Sequence, residues 1–406
     1  MQALMCSIGS RGDVQPIVAL ALELRMRGHD ARLCVAPNFK DWVESFGVQC
    51  AAIGPDLKAL TGGTASKNAQ KPSAEQLRQL AVHSVRTQFS VLIEAAQDCD
   101  LVVAAGALQL ATRSVAESLG IPYVFAAYCP AVLPSSGHPP PKMGTHYSQM
   151  LSGDANRALW REEEESWNSL FRATLNEERA KLGLARVESV QRHIFTDNPW
   201  LAADPALAPA GPAPELQITQ TGAWFLRDER SLPDRVEDFL SRGDPPVYCG
   251  FGSMRTAEGT SRVLIEAARA LGLRSIISQG WGNLAPIDDG SDYLSIDDLS
   301  HENLFPRVAA VVHHGGAGTT TAAARAGTAQ VIAPHLYDQY YWAHRVEAVG
   351  IGFAGPTREE LTVSTMTAAL EKAVSPGVAI RAQALAGRLE AKGAQIAADR
   401  LIRKFA

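Results

Sequence analysis

The sequence predicts an α/β protein of two open parallel-sheet domains whose ligand-binding edges face a shared cleft. Three observations predict it. Short apolar runs alternate with helical patterns from the N-terminus onward. A proline-rich stretch, PALAPAGPAP at Pro205 to Pro214, interrupts that alternation at mid-chain. Residues 311–320, VVHHGGAGTT, join a buried-strand pattern to a glycine turn and a helix of small side chains.

Taken in order, Gln2 to Ile8 reads as an apolar strand, followed by GSRGDVQP and an amphipathic helix from about Val14 to Arg27 that ends near Gly28. ARLCVAP supplies a second strand, Phe39 to Phe46 a helix and VQCAAIG a third strand. Asp56 to Ser73 is polar and turn-rich, a surface loop. A helix from Ala74 to Gln97 leads to strand DLVVAAG, helix Gln109 to Leu119 and strand IPYVFAAY. Cys129 to Ser148 is a long loop rich in proline, serine and glycine, of the kind that carries function. Asn156 to Leu182 is helical, with the charge run Arg161 to Glu165 as its solvated face.

After the proline-rich stretch the alternation resumes as strand VYCGFGS, helix Ser261 to Leu271, strands SIISQG, DYLSI and AAVVHHG, a helix, strand AQVIAP and helix Gln339 to Val349. The tail, Val363 to Phe405, is helical throughout. The expected organisation is a first domain over residues 1–204, a linker at 205–217, a second domain at 218–385 and a last helix, 386–406, crossing back to the first domain.

Composition narrows the function classes. A chain of 406 residues has room for two cores, and a net charge of −5 carries no basic excess that would point to nucleic acid. No apolar stretch reaches the roughly 18 residues that span a bilayer. The opening MQALMCSIGS lacks a charged leader and runs straight into a strand, so a cytoplasmic location is expected. Cys6, Cys34, Cys50, Cys99, Cys129 and Cys249 are scattered without a CxxC pair and read as buried thiols in a reducing compartment.

The glycine turn reads either as a tight strand-to-helix turn that needs glycine for packing only or as a cradle for an anion. Gly315, Gly316 and Gly318 lack a Cβ, so the backbone can turn sharply and bring its N–H groups close to a ligand. The helix that begins near Gly318 points its unpaired N–H groups and positive dipole end to the same place, which favours a phosphate by roughly 0.3–2 kcal/mol. His313 can add a donor, as can Thr319 and Thr320. The dinucleotide fingerprint is excluded, because the glycine spacing is wrong and no acidic residue closes a following strand.

Ligands of open parallel sheets bind at the carboxyl ends of the strands. Ser10, Arg11 and Asp13 lie there in the first half, with Gly106 to Leu108; Ser253, Gln279, Trp281, His313 to Thr319 and His335 to Gln339 lie there in the second. Asp13 reads either as the N-cap of the helix beginning at Val14 or as a general base. Arg11 is a surface cation or a phosphate clamp, and Trp281 a core residue or a platform for a base. Asp338 and Gln339 either cap a helix or hydrogen-bond a polyol. No metal site is expected: Asp98 and Asp100 lie at the opposite sheet edge, and the adjacent His313 and His314 point to opposite faces of a strand.

Together these residues resemble the GT-B-fold, nucleotide-sugar-dependent glycosyltransferases, in the family that includes the glycopeptide-antibiotic, sterol and UDP-glycosyltransferases. The motifs are GSRGDVQP at Gly9 to Pro16, PPVYCGFGSM at Pro245 to Met254, SQGWG at Ser278 to Gly282, HHGGAGTT at His313 to Thr320 and DQ at Asp338 to Gln339. TDNPWLAADPALAP looks most like the antibiotic-modifying branch. The resemblance implies two Rossmann-like domains, the first binding the acceptor and the second the donor, with the C-terminal helices packing back. It implies that Asp13 is the base, that Ser10, Arg11, Ser253, His313 and the backbone of Gly316, Ala317, Gly318 and Thr319 hold the diphosphate, that Asp338 and Gln339 bind the sugar hydroxyls and that Trp281 lies near the nucleoside.

Three positions depart from the pattern. Thr321 stands where the plant branch has a ribose-binding glutamate, DQYYWAHRV lacks the proline that often follows DQ, and the loop after Cys129 matches no member closely. The implied activity is an inverting, metal-independent transfer from a UDP- or dTDP-sugar to a hydroxyl of a small lipophilic acceptor, a natural product or a sterol, with no cofactor beyond the nucleotide-sugar co-substrate. With a sterol acceptor, peripheral membrane contact is implied. A non-catalytic nucleotide-sugar sensor on the same fold is the competing expectation, and an epimerase acting on the nucleotide sugar alone is a third.

Overall fold

The computed structural model describes residues 1–58, 73–106, 108–141, 153–281 and 284–406. Most of the loop expected at Asp56 to Ser73, the later part of the Cys129 to Ser148 loop and Gly282 of SQGWG lie outside the described residues. The first half runs β1 (Gln2–Ser7), α1 (Arg11–Met26), β2 (Asp30–Val35), α2 (Lys40–Glu44), β3 (Gln49–Ala52), α3 (Ala74–Ala95), β4 (Leu101–Ala105), α4 (Thr112–Leu119), β5 (Tyr123–Ala127), α5 (Asp154–Lys181), α6 (Val190–Phe195), β6 (Trp200–Leu201) and β7 (Thr219–Gln220). These strands form one sheet in the order β3-β2-β1-β4-β5-β6-β7.

The second half runs α7 (Asp234–Ser241), β8 (Val247–Gly250), α8 (Thr260–Ala270), β9 (Ser275–Ser278), β10 (Tyr293–Ile296), α9 (His301–Leu304), β11 (Ala310–His313), α10 (Ala317–Arg325), β12 (Ala329–Ile332), α11 (Gln339–Val349) and β13 (Gly352–Ala354). Its sheet order is β10-β9-β8-β11-β12-β13. Three helices follow: α12 (Val363–Ala373), α13 (Pro376–Ala386) and α14 (Gly393–Phe405). Every strand pair in both sheets is parallel. The sequence texture explains why: β4, β8, β11 and β12 are buried at every position, as strands covered by helices on both faces must be.

Strand order fixes where a ligand can enter. The first sheet reverses direction between β1 and β4, the second between β8 and β11. The crevice outside the strand ends at such a reversal is the natural binding place of an open α/β sheet. GSRGD leaves β1, Gly106 leaves β4, GFGS spans the end of β8 and HHGGAG spans the end of β11, so both reversals are furnished with the residues singled out above.

Two expectations are corrected. The stretch 205–217 is not an interdomain linker; it joins β6 to β7 within the first sheet, so that domain runs to Gln220 and the crossing is made by residues 221–246. Gln220 Nε2 donates to the carbonyls of Ala203 and Ala208, at 2.8 and 2.9 Å, and ties the segment down. Proline marks a stiff surface connection, and composition does not say which sheet its far end joins. The first helix begins at Arg11 rather than Val14, because Ser10 is its N-cap and Asp13 lies in its first turn.

The chain ends on the domain it began with. Ala394, Ala397, Ala398 and Leu401 of α14 are buried in the same apolar cluster as Val14, Ile17, Val18 and Leu24 of α1. Arg27 ties the two helices together through Asp399 at 2.7 Å. Gly393 is required at the contact: a Cβ there would lie 2.3 Å from the carbonyl oxygen of Ala223. Leu401→Ala should therefore lower unfolding free energy by about 2–5 kcal/mol, read by chemical denaturation; a loss near zero would mean that α14 is not part of the folded core.

Candidate active site

The acidic side of the crevice is assembled within one turn of helix. The backbone N–H of Ser10 donates to Asp13 Oδ2 at 2.7 Å and its hydroxyl donates to the same oxygen at 3.0 Å. Asp13 thus reaches back to the N-cap as the carboxylate of a capping box does. A Cβ at Gly9 would lie 2.3 Å from Asp13 Oδ2, so glycine is needed for this approach. With Oδ2 held, Oδ1 is left without a hydrogen-bond partner among the described residues. Burial raises the Asp13 pKa, against the opposing pull of the Ser10 donors.

The opposite side is the turn from β11 into α10. Gly315 has φ +92°, and a Cβ there would meet Ile332 Cγ2 at 2.6 Å and the Gln339 carbonyl oxygen at 3.1 Å. Gly316 is the N-cap of α10, and outside its own helix no heavy atom lies within 4 Å of where a Cβ of Gly318 would sit. Ala317 packs against the apolar cluster of α1 and the first sheet. The N-terminal turns of α10 and α1 therefore meet across the crevice, with backbone donors on one side and Asp13 on the other.

Asp338, the N-cap of α11, adds a second acid. Trp342 Nε1 donates to Asp338 Oδ2 at 3.2 Å. Burial, with the charge of Asp13 acting in the same direction, raises its pKa to about 7. A carboxyl group of the first domain thus bears on one of the second. Gln339 is buried, and its Oε1 accepts from the N–H groups of His335 and Leu336 at 2.8 and 3.0 Å, which braces the loop leading to Asp338.

Several residues are placed differently from the expectation. His313, expected to donate to a diphosphate, is fully buried with both ring nitrogens committed: Nδ1 accepts from the Gly315 N–H at 3.1 Å, and Nε2 faces Gln330 Oε1 at 3.0 Å. That pairing puts the proton on Nε2. Its pKa is lowered to about 4 by burial, so the ring is neutral and braces the turn. The neighbouring His314, placed at the ligand edge by the sequence but given no role there, is enclosed as well. Its Nδ1 is enclosed without a partner among the described residues, and its Nε2 would lie 2.7 Å from a Cβ at Gly316. Only the alternation of side chains along a strand could have singled it out.

Arg11 is neither free nor isolated. Its guanidinium pairs with Asp298 of the second domain at 2.9 Å and lies 4.9 Å from the centre of the Trp42 ring. Trp281 stacks on Phe39 of the first domain, with centroids 5.7 Å apart and planes 8° from parallel. Both residues bridge the domains at the crevice mouth. Ser253 follows Gly252, whose φ of +56° turns the chain away from β8 towards His314. A cavity of about 730 Å³ lies elsewhere, between the C-terminal half of α1, residues 225–227 and the 391–395 turn. None of the residues singled out at the strand ends lines it, so the chemistry is assigned to the crevice.

Two Rossmann-like sheets meeting at their reversal points are the GT-B arrangement of glycosyltransferases, and solved structures share it along the whole chain. The glycosyltransferase of kitacinnamycin superposes with a TM-score of 0.73 at 19% identity, covering 100% of this chain and 99% of its own. VinC, solved in complex with dTDP, gives 0.70 at 19% identity over 99% of both chains. Residues 3–135 match the glycosyltransferase family 28 N-terminal domain, and residues 293–395 the erythromycin biosynthesis protein CIII-like C-terminal domain. Glycosyltransferase GtfE of Amycolatopsis orientalis is 44% identical, and the vancomycin aglycone glucosyltransferase of the same organism 42%, each over 99% of this chain and 97% of the relative. The chain belongs to this glycosyltransferase family.

The raised Asp338 predicts a pH signature. Unfolded, an aspartate titrates near 3.9, whereas here the proton is kept to about 7. The folded state therefore holds a proton that the unfolded state has lost, and stability falls as pH rises from about 4 to 7. Asp338→Asn should remove that part of the fall, on the order of 1 kcal/mol or more since one pKa unit is about 1.4 kcal/mol. Urea denaturation at pH 4 and pH 7 on both proteins checks it; identical slopes would show that Asp338 titrates normally.

Proposed function

We propose that this glycosyltransferase moves a sugar from a UDP- or dTDP-sugar to a hydroxyl of a small lipophilic acceptor with inversion at the anomeric carbon, using Asp13 as general base and no metal. The observation that carries the reading is Asp13 itself: one carboxylate oxygen is held by Ser10, the other has no hydrogen-bond partner among the described residues, and the helix that carries it packs where α10 begins. Geometry of this kind positions a base, and its raised pKa brings it nearer the operating pH.

In the proposed step the acceptor hydroxyl gives its proton to Asp13 Oδ1 as its oxygen bonds to the anomeric carbon. The bond from that carbon to the diphosphate oxygen breaks on the opposite face, which inverts the configuration. The leaving charge is received by the N–H groups of Gly316 to Thr319 and the dipole of α10. Ser10 and Ser253 flank the same space, and Arg11 joins when it leaves Asp298. These donors neutralise the diphosphate without requiring a cation. Asp338 supplies the polar edge for the sugar hydroxyls, Gln339 holds that loop in place, and Trp281 is the platform offered to the nucleoside.

The likeness to VinC with dTDP, and to SsfS6 with thymidine diphosphate at a TM-score of 0.65, supports a nucleoside diphosphate leaving group. The 42% identity to a vancomycin aglycone glucosyltransferase, against 29% to a plant sterol 3-beta-glucosyltransferase, favours an antibiotic-type aglycone as acceptor. Among the described residues no helix is long and apolar enough to cross a membrane, and we place the reaction in the cytoplasm.

Asp13→Asn should lower kcat by about 10²- to 10⁴-fold while nucleotide affinity changes little. Steady-state kinetics with calorimetry on the same variant decides it, and full turnover removes Asp13 from the mechanism. In a thermal-shift panel, UDP or dTDP at 100 times its dissociation constant should add about 2.7 kcal/mol of stability. A panel with no nucleoside diphosphate response would refute the donor class.

A further inference from the structure

Among the described non-glycine residues only Asp98, Thr196 and Tyr337 have positive φ. Asp98 is of a type that tolerates the left-handed region and lies at a turn outside the crevice. Tyr337, at φ +57°, is a bulky aromatic for which that conformation is an outlier. It precedes Asp338 directly. Strain of this kind survives only where the surroundings over-determine the backbone. Here they do, through Gln339 Oε1, which clamps the N–H groups of His335 and Leu336 two and one residues before it.

Tyr337 is half-buried and packs, with Tyr341 one helical turn further on, against the apolar cluster that runs through both domains. The Tyr341 ring lies edge-on to His138 of the loop after Cys129, with centroids 5.9 Å apart. The groups whose charges bear on the Tyr337 phenol come from several elements: Asp338 at the start of α11, Cys129 after β5, Glu163 on α5 and Asp13 on α1. Directly before Asp338 and packed on the cluster that contains Cys129, Ala131 and Leu133, Tyr337 lies on the side of the crevice towards the loop after Cys129.

We propose that the Tyr337 ring is the specificity-determining wall of the acceptor site, which shuts water out of the space beside Asp13 and Asp338 and admits an alcohol with an apolar body. The assignment rests on the reading of Asp13 as the base of a transfer reaction. An aromatic ring offers an apolar acceptor a surface to pack on and offers water none. Without the ring, water takes the acceptor's place: its oxygen bonds to the anomeric carbon, its proton passes to Asp13, the bond to the diphosphate breaks, and free sugar is released.

Tyr337→Gly and Tyr337→Phe separate the ring from the hydroxyl and from the strain. Glycine accepts positive φ, which offsets part of the packing lost with the ring, and phenylalanine keeps the wall; a thermal melt of each variant confirms that it is folded before the assay. With UDP-glucose or dTDP-glucose and vancomycin aglycone as the acceptor probe, Tyr337→Gly should raise the ratio of free sugar to transferred sugar about tenfold, and Tyr337→Phe should leave it near wild type. Without the probe acceptor, donor hydrolysis by the glycine variant should rise by the same order.

A second readout needs no turnover. If the ring keeps water from the two acids, Tyr337→Gly should shrink the fall in stability between pH 4 and pH 7 that Asp338 produces, and Tyr337→Phe should preserve it. A glycine variant that keeps both the wild-type product ratio and the wild-type pH dependence overturns the proposal. Should Asp13→Asn turn over as fast as the wild type, the reading of Asp13 fails while the ring proposal stands or falls on the pH dependence of the two variants alone.

Discussion

The crevice depends on bringing two helix N-termini face to face. Each is the positive end of a dipole with unpaired N–H groups, so their approach is unfavourable unless negative charge lies near. That charge is internal. Asp13 accepts from the N-terminal turn of its own helix, and Asp298 reaches across to Arg11 beside it. Burial of the two acids beside the gap, Asp13 and Asp338, raises the pKa of each.

Rigidity on the donor side comes from neutral hydrogen bonds. Gly315 N–H to His313 Nδ1, His313 Nε2–H to Gln330 Oε1, and Gln330 Nε2–H to the Thr320 carbonyl at 3.3 Å link turn, strand and helix in one chain. Burial keeps the imidazole uncharged, so the relay has no ion to desolvate. The N–H groups at the start of α10 are thereby aimed in advance of any ligand, which is how fixed dipoles stabilise developing charge most effectively.

Closure is held away from the chemistry as well as beside it. α14 lies on α1, Arg345 of α11 donates to the Leu207 carbonyl, and the Phe39–Trp281 stack spans the mouth. Of these, the contacts at the mouth involve residues offered to the donor, Arg11 and Trp281. The exposed Arg11–Asp298 pair contributes little in water, so the Phe39–Trp281 stack and the contacts of α14 and Arg345 hold the two domains together more firmly.

The sequence by itself determined the two parallel sheets, the glycine turn before a helix of small residues and the collection of Asp13, Ser253, Gly316 and Asp338 at the strand ends. Those follow from local regularities: apolar runs, glycines that permit a close turn, and the rule that ligands bind at the carboxyl edge. Only the tertiary structure decided which side chains are free to act. His313 is occupied by Gln330, seventeen residues on; Arg11 is held by Asp298 and Trp281 by Phe39, partners more than two hundred residues apart. The proline-rich stretch turned out to join strands of one sheet, and Tyr337 took a backbone conformation that its residue type disfavours. Periodicity reports the face on which a residue lies, whereas its partner and its charge are set by what the folded chain brings against that face.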